Sequence, residues 1–172
     1  MKKIGFQRGI CAAFTAVFLL FGIAACDSLS NRRSGNDIQE VRHEFPNTNW
    51  AFEEEVLDFN FTIEDTAKYY DVSVALVYDT TVAALPDIPL SLTLSTPDGM
   101  KSFSTSHFLL NRKENPGIKP TGDGNNAEID VVVYPRRKFK VPGTYTLTVY
   151  RRADKADNFG FVSLSAKIRA VK

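Results

Sequence analysis

Cysteine is almost absent from this chain: 172 residues contain only Cys11 and Cys26. Neither belongs to a C-x-x-C pair, which excludes thiolate zinc sites and dithiol redox chemistry. Histidine is equally scarce, and His43 and His107 are far apart and outside any H-E-x-x-H spacing. There is no G-x-S-x-G elbow and no glycine-rich phosphate loop. Charge of one sign is lacking too: 21 Lys and Arg against 20 Asp and Glu leave a formal net charge of +1. That balance offers no electrostatic footprint for nucleic acid. Beyond residue 25 no segment sustains an apolar stripe of 3.6-residue period, so a helical core is excluded. These absences predict a non-enzymatic, all-β protein with no catalytic residues, no metal ligands and no cofactor.

Acidic residues are missing from one place in particular, residues 1–25. That stretch carries Lys2, Lys3 and Arg8, then an almost wholly apolar run, ICAAFTAVFLLFGI, from Ile10 to Ile23. A charged start and an apolar run of this length mark a signal peptide, shorter than the ~20 residues of a spanning helix. Ala24 and Ala25 follow, and Ile23-Ala24-Ala25-Cys26 resembles the bacterial lipobox. That resemblance implies diacylglycerol transfer to the Cys26 sulfur, cleavage before Cys26 and acylation of the new N-terminus. The competing reading is a plain signal peptide with a chance cysteine. Each buried methylene contributes ~0.8 kcal/mol to partition, so two or three acyl chains, palmitate-like in length, hold a protein permanently in lipid. The expected location is the cell envelope, on the outer membrane. Removing residues 1–25 from the 172 leaves 147, and the loss of three cations moves the formal charge from +1 to −2. Cys11 departs with the leader, so stability must come from burial of Phe, Tyr, Val, Leu and Ile.

Residues 27–44, DSLSNRRSGNDIQEVRHE, are polar without an apolar period, and 26–44 is read as the lipidated cysteine and a solvated tether. A single domain is expected over 45–172, and in it the period is two. VLDFNFTI places Leu57, Phe59, Phe61 and Ile63 on one face; YYDVSVALVY does so with Tyr70, Val72, Val74, Leu76 and Tyr78; IPLSLTL with Ile88, Leu90, Leu92 and Leu94. TPDG at 96–99 is turn chemistry, and KSFSTSHFLL is its hairpin partner, with Phe103 and Thr105 facing alike. Residues 111–126 form a long Gly-, Pro- and Asn-rich loop. AEIDVVVYP alternates up to Pro135. FKVPGTYTLTVYRR reads as a short strand, a Pro142-Gly143 turn and a strand carrying Tyr145, Leu147 and Val149. A last strand buries Val162, Leu164, Ala166 and Ile168. Seven or eight strands at this spacing predict an antiparallel β-sandwich, immunoglobulin-like or jelly-roll-like.

Three groups of residues are candidate contacts. Phe45 and Trp50, in FPNTNW, either plug the mouth of the core or stack on a ligand. Arg136 and Arg137 in YPRRKFK, with Arg151 and Arg152, are the one basic concentration; both lie at strand ends and are read as sharing one rim, either solvated or docking an acidic partner or lipid headgroups. Asp123, Asn125, Glu128 and Asp130 collect oxygens without the spacing of a calcium loop. Glu53 to Glu55 read as a charged edge that discourages sheet pairing.

The order of these features resembles the gliding motility-associated lipoprotein GldH family. Trp50, Phe59, Phe61, Asp65, Thr66, Tyr69 or Tyr70 and Val72 follow that family's lead-in, Phe-rich strand, Asp-Thr-x-x-Tyr turn and alternating strand; LPDIPLSLTLSTPDG and FKVPGTYTLTVYRR resemble its later segments. Trp50 is the only tryptophan, so the tryptophan of the family's central loop is missing here. The resemblance implies a Bacteroidota-type envelope lipoprotein, an accessory component whose partners are gliding or secretion-machinery proteins. That lineage in turn implies O-glycosylation at Asp-Ser/Thr-apolar triplets, here Ser28 and Thr66, with Asp79-Thr80-Thr81 a looser match. The leading expectation is a non-enzymatic accessory or structural lipoprotein presenting a sandwich for protein interaction. The alternative is a carbohydrate- or ligand-binding envelope lipoprotein.

Overall fold

The computed structural model describes residues 30–34, 38–51, 56–83, 87–110, 117–121, 124–151 and 158–172. Cys26, Ser28, Arg152 and Glu53 to Glu55 lie outside them. The strands are β1 (Ser30–Ser34), β2 (Ile38–Glu44), β3 (Asn49–Trp50), β4 (Val56–Ile63), β5 (Tyr69–Asp79), β6 (Asp87–Ser95), β7 (Lys101–Leu109), β8 (Lys119–Pro120), β9 (Asn126–Lys138), β10 (Gly143–Arg151), β11 (Asn158–Phe159) and β12 (Phe161–Val171). Among the described residues the only helical turn is a 3-10 turn at Pro46–Thr48.

The alternating residues point one way because each strand's inward face meets the other sheet. Every inward residue named above for the strands at 56–63, 70–78, 88–94 and 145–149 is buried. Val162 is only half-buried, where a register shift between Phe161 and Ser163 turns β12. One sheet runs β1-β2-β12-β5-β9-β8 and the other β4-β10-β6-β7, with every pairing antiparallel. Of the strands, eight are seven residues or longer. Taken in chain order, the first, eighth, third and sixth of these form one sheet, and the second, seventh, fourth and fifth form the other. That order is a jelly roll, which decides between the two sandwich types left open by the sequence.

Local chemistry explains the turns. Gly99 sits at φ 83 after Pro97 and Asp98, its N–H donating to Thr96 O at 3.0 Å. This is a type I turn closed by a left-handed glycine, which joins β6 to β7. The Tyr145 hydroxyl donates to Val141 O, four residues back, at 2.6 Å, the tyrosine corner of Greek-key sandwiches. Pro135 does not end its strand: β9 continues to Lys138 through a bulge, with Arg136 at φ 45 and its N–H donating to Asp71 Oδ1 at 2.7 Å. The short strand expected before Pro142 is absent; Phe139 instead turns into the core, packed on Tyr145 with ring centroids 4.6 Å apart.

Residues 38–44 are not a tether. They form β2, paired with β12 from Ile38↔Arg169 to Glu44↔Ser163. Val41 is buried, and Gln39 closes the rim of the sandwich: its Nε2 donates to Thr62 O at 2.6 Å, and its Oε1 accepts from Thr62 N–H at 3.1 Å. The domain therefore begins before Phe45. A chain truncated to begin at Phe45 is expected to lose at least about 3 kcal/mol of stability in urea titration, from one buried valine, two amide hydrogen bonds and the uncovered edge of β12. Unchanged stability would show β2 to be an ornament.

Candidate functional site

The candidate contacts separate on the structure. Trp50 is 0% exposed and Phe45 is 5% exposed. Their rings stack at 4.9 Å, Phe161 meets the indole edge-on at 6.3 Å, and the Arg151 guanidinium lies over the indole at 5.5 Å. Arg151 is itself 2% exposed, with Nη1 donating to Trp50 O at 3.4 Å. Phe45, Trp50 and Arg151 are thus core residues plugging one end of the sandwich, and no ligand reaches them. Arg151 shares the inward parity of Leu147 and Val149, which is why it is not on a rim.

Arg136 and Arg137 lie at the opposite end, where β9 passes into β10. The nine residues of β10 separate the two groups by about 27 Å, so they do not share a rim. Arg136 is exposed, with Nη1 donating to Lys172 O at 3.0 Å; Arg137 is half-buried, with Nη2 donating to Ser102 Oγ at 2.9 Å. Thr66 occupies a turn in which Asp65 Oδ1 accepts from Ala67 N–H at 2.9 Å. His107 faces outward on β7, with Nδ1 3.0 Å from Asp87 Oδ2. Glu128 and Asp130 turn toward Lys167: its ammonium donates to Glu128 Oε1 and lies 3.5 Å from Asp130 Oδ2. That ammonium occupies the space a cation would need between them.

Each sheet also has an outer face. On the six-stranded sheet, Ser73, Ala75, Ser163 and Ser165 form a small-residue floor, all buried beneath longer neighbours. Lys167 stands over it. Burial alone would lower the Lys167 pKa, but the Glu128 hydrogen bond and the carboxylates of Glu128, Asp130 and Glu40 outweigh it and raise the pKa above the ordinary 10.5.

The outer face of the four-stranded sheet is different. Across it run Asp58 and Asn60 of β4, Thr146, Thr148 and Tyr150 of β10, Ser91, Thr93 and Ser95 of β6, and Phe103 and Thr105 of β7. Thr146 Oγ1 donates to Asn60 Oδ1 and Thr148 Oγ1 to Asp58 Oδ1, each at 2.7 Å. Two aromatics rise from this polar floor: Phe103, 76% exposed, and Tyr150, 41% exposed. Register puts them two strands and two residues apart, about 12 Å between Cα atoms. This pair was not singled out as a contact from the sequence. The signal was available: Phe103 is an aromatic in the outward half of an alternating strand, in company with Lys101, Thr105 and His107.

No protein-family model matches this chain, and no curated protein is similar to it. Among solved structures it is similar to CBM28, a non-crystalline cellulose specific carbohydrate-binding module, with TM-score 0.49 and 11% identity over 84% of this chain and 80% of that one. It is also similar to PfGH50B, with TM-score 0.33 and 10% identity over 84% of this chain and 22% of that one. Neither likeness carries a residue or an activity to this chain.

Two expectations follow from the geometry. Trp50 fluorescence should be blue-shifted and shielded from iodide, and Trp50→Ala should cost about 3–5 kcal/mol in urea titration; a red-shifted, quenchable indole would contradict its burial. Because the Lys167 pKa is raised in the folded state, its contribution to stability is fully present below about pH 10.5 and is lost as pH rises through the folded value. Thermal melts of Lys167→Met should lack this alkaline loss; a wild-type and variant difference that is flat across alkaline pH would refute the assignment.

Proposed function

We propose that this protein is a non-catalytic carbohydrate-binding module of the bacterial cell envelope, displayed on an acylated Cys26. The observation that carries the reading is the exposed pair Phe103 and Tyr150 on a floor of hydroxyl, amide and carboxylate groups. A large apolar ring held in water on a rigid sheet has no part in the core and is suited to binding. A pyranose ring offers an apolar C–H face and a girdle of hydroxyls. The aromatic faces match the first, and Asn60, Asp58 and the Thr and Ser hydroxyls match the second. The spacing of the rings suits a chain of several sugars rather than one.

The anchor geometry favours the same face. β1 begins four residues after Cys26, a span of at most about 14 Å. β2 faces β4 across the core, while β7 faces β9 on the opposite side. An acyl group on Cys26 therefore holds the β1–β2 side near the lipid and leaves β7, with Phe103, on the far side.

A second reading has its own support. β7 ends its sheet, is nine residues long and contains no proline, so it offers an edge to which a partner strand can add. The gliding or secretion-machinery partnership implied by the GldH resemblance would use such an edge.

Calorimetric titration with neutral hexasaccharides, including β-1,4- and β-1,3-glucans, xylan and mannan fragments, tests the first reading. At least one should bind, and Phe103→Ala and Tyr150→Ala should each weaken it by about tenfold while leaving the melting temperature within a few degrees. If none of the hexasaccharides binds, and crosslinking in intact cells recovers an envelope protein joined at β7, the edge reading replaces it.

A further inference from the structure

A cleft of about 600 Å³ opens where β9 passes into β10. One wall is the bulged end of β9, from Pro135 to Lys138, and the other is the turn from Thr96 to Met100. The floor is apolar, made by the buried Leu94, Phe139 and Tyr145. The rim carries Arg136, Arg137, Lys138 and Lys140 against a single carboxylate, Asp98. That carboxylate is already engaged, accepting a hydrogen bond from Thr96 Oγ1.

Arg136 donates through Nη1 to Lys172 O at 3.0 Å and has the Asp71 carboxylate on its backbone N–H; Arg137 and Lys138 are held by rings and a hydroxyl. Arg136 and Lys138 each lie 5.4 Å from the Tyr69 ring centre, and Arg137 lies 6.0 Å from that of Tyr134 while donating to Ser102 Oγ. For Arg137 and Lys138, rings and a hydroxyl fix the direction of the side chain at little loss of positive potential. The bulge gives Arg136 a left-handed, non-glycine conformation, which Asp71 holds through the Arg136 N–H. Arg137, opposite the buried Tyr70, reaches between the sheets to Ser102 of β7, while Arg136 and Lys138 lie against the outward Tyr69; all three residues line the cleft. A concave cationic rim over an apolar floor focuses potential into the cleft.

We infer that this cleft binds a small organic anion: a carboxylate, sulfate or phosphate group on a compact body with an apolar face. Its volume is that of a small-molecule site. A bilayer surface is too flat to enter it, and the cleft lies toward the β7–β9 side, away from the anchored edge. The inference is independent of the glycan platform, which uses another face and neutral chemistry.

The test is calorimetric titration of the full chain in detergent with trigalacturonate, N-acetylglucosamine 6-sulfate and glucose 6-phosphate, with maltotriose as the neutral control. At least one anion should bind saturably, and the preference among them names the acidic group. Lys140→Gln and Arg137→Gln should each weaken binding by about tenfold, raised salt should weaken it further, and Phe103→Ala should leave it unchanged. Lys140 is exposed, so its substitution tests the site without threatening the fold. Four results would overturn the inference: no saturable heat from any anion up to about 10 mM, equal binding of maltotriose, binding untouched by both substitutions, or capture only by phosphatidylglycerol vesicles.

Discussion

The whole molecule depends on one apolar layer, and that layer cannot close until the last two long strands arrive. β10 lies between β4 and β6, and β12 lies between β2 and β5. Each sheet therefore has a strand from the C-terminal third of the chain inserted between strands from the N-terminal part. Leu147 and Val149 in one, and Leu164, Ala166 and Ile168 in the other, complete the two facing surfaces. Before they dock, β4 and β2 have no partner in their sheets other than β1, and their inward residues face water. Such a fold is rich in non-local pairings, which favours slow, all-or-none folding. It also explains why the plug at one end is so aromatic: Phe45, Trp50 and Phe161 bring together the beginning of the domain and the strand that completes it.

That demand on the large residues gives meaning to those left outside. Phe59, Phe61, Phe108, Phe139, Phe161, Trp50 and Tyr145 are all buried. Four of the described aromatics stay exposed, Tyr69, Phe103, Tyr150 and Phe159, and of these Phe103 and Tyr150 share one sheet face. Scattered apolar residues on a surface need no explanation, but two rings on one rigid polar sheet form a surface with a chemistry of its own. The same reasoning sets the cationic cleft apart from the buried Arg151, whose charge faces Trp50 and the core rather than solvent.

How much of this was legible in the sequence follows from how strongly each strand is two-faced. β4, β5, β6, β10 and β12 carry three or more inward aliphatic or aromatic residues, and their period declared both strand and face. β2 was missed because IQEVRHE has one buried apolar residue, Val41, with Gln39 and His43 sharing its inward parity; hydrogen bonding to Thr62, not burial of carbon, fixes its place. Pro135 suggested a strand end because a proline cannot donate to a ladder, yet a bulge removes that requirement at a single residue. Arg151 and Arg152 looked like a rim because they are charged and close a strand. Parity alone would have turned Arg151 inward, since it continues the series Leu147 and Val149. The pairing order of the strands, which defines the jelly roll, has no counterpart in local pattern at all. It is set by which surfaces fit across the core.

The placement of β1 adds a constraint of another kind. With only three residues between Cys26 and Ser30, acylation there would leave little free tether, and the sandwich would sit against the lipid by one edge rather than swing above it. A short anchor restricts orientation, and restricted orientation is useful only to a domain whose business lies on one side. Phe103 on β7 and the cleft between β9 and the Thr96–Met100 turn both lie toward the side away from that edge. The end of β2 near Ser30 runs on into a smaller cleft of about 320 Å³, lined by Pro46, Asn47, Asn49, Ala51 and the 60% exposed Phe159. Were Cys26 acylated, Phe103 and the cationic cleft would be the surfaces turned from the lipid.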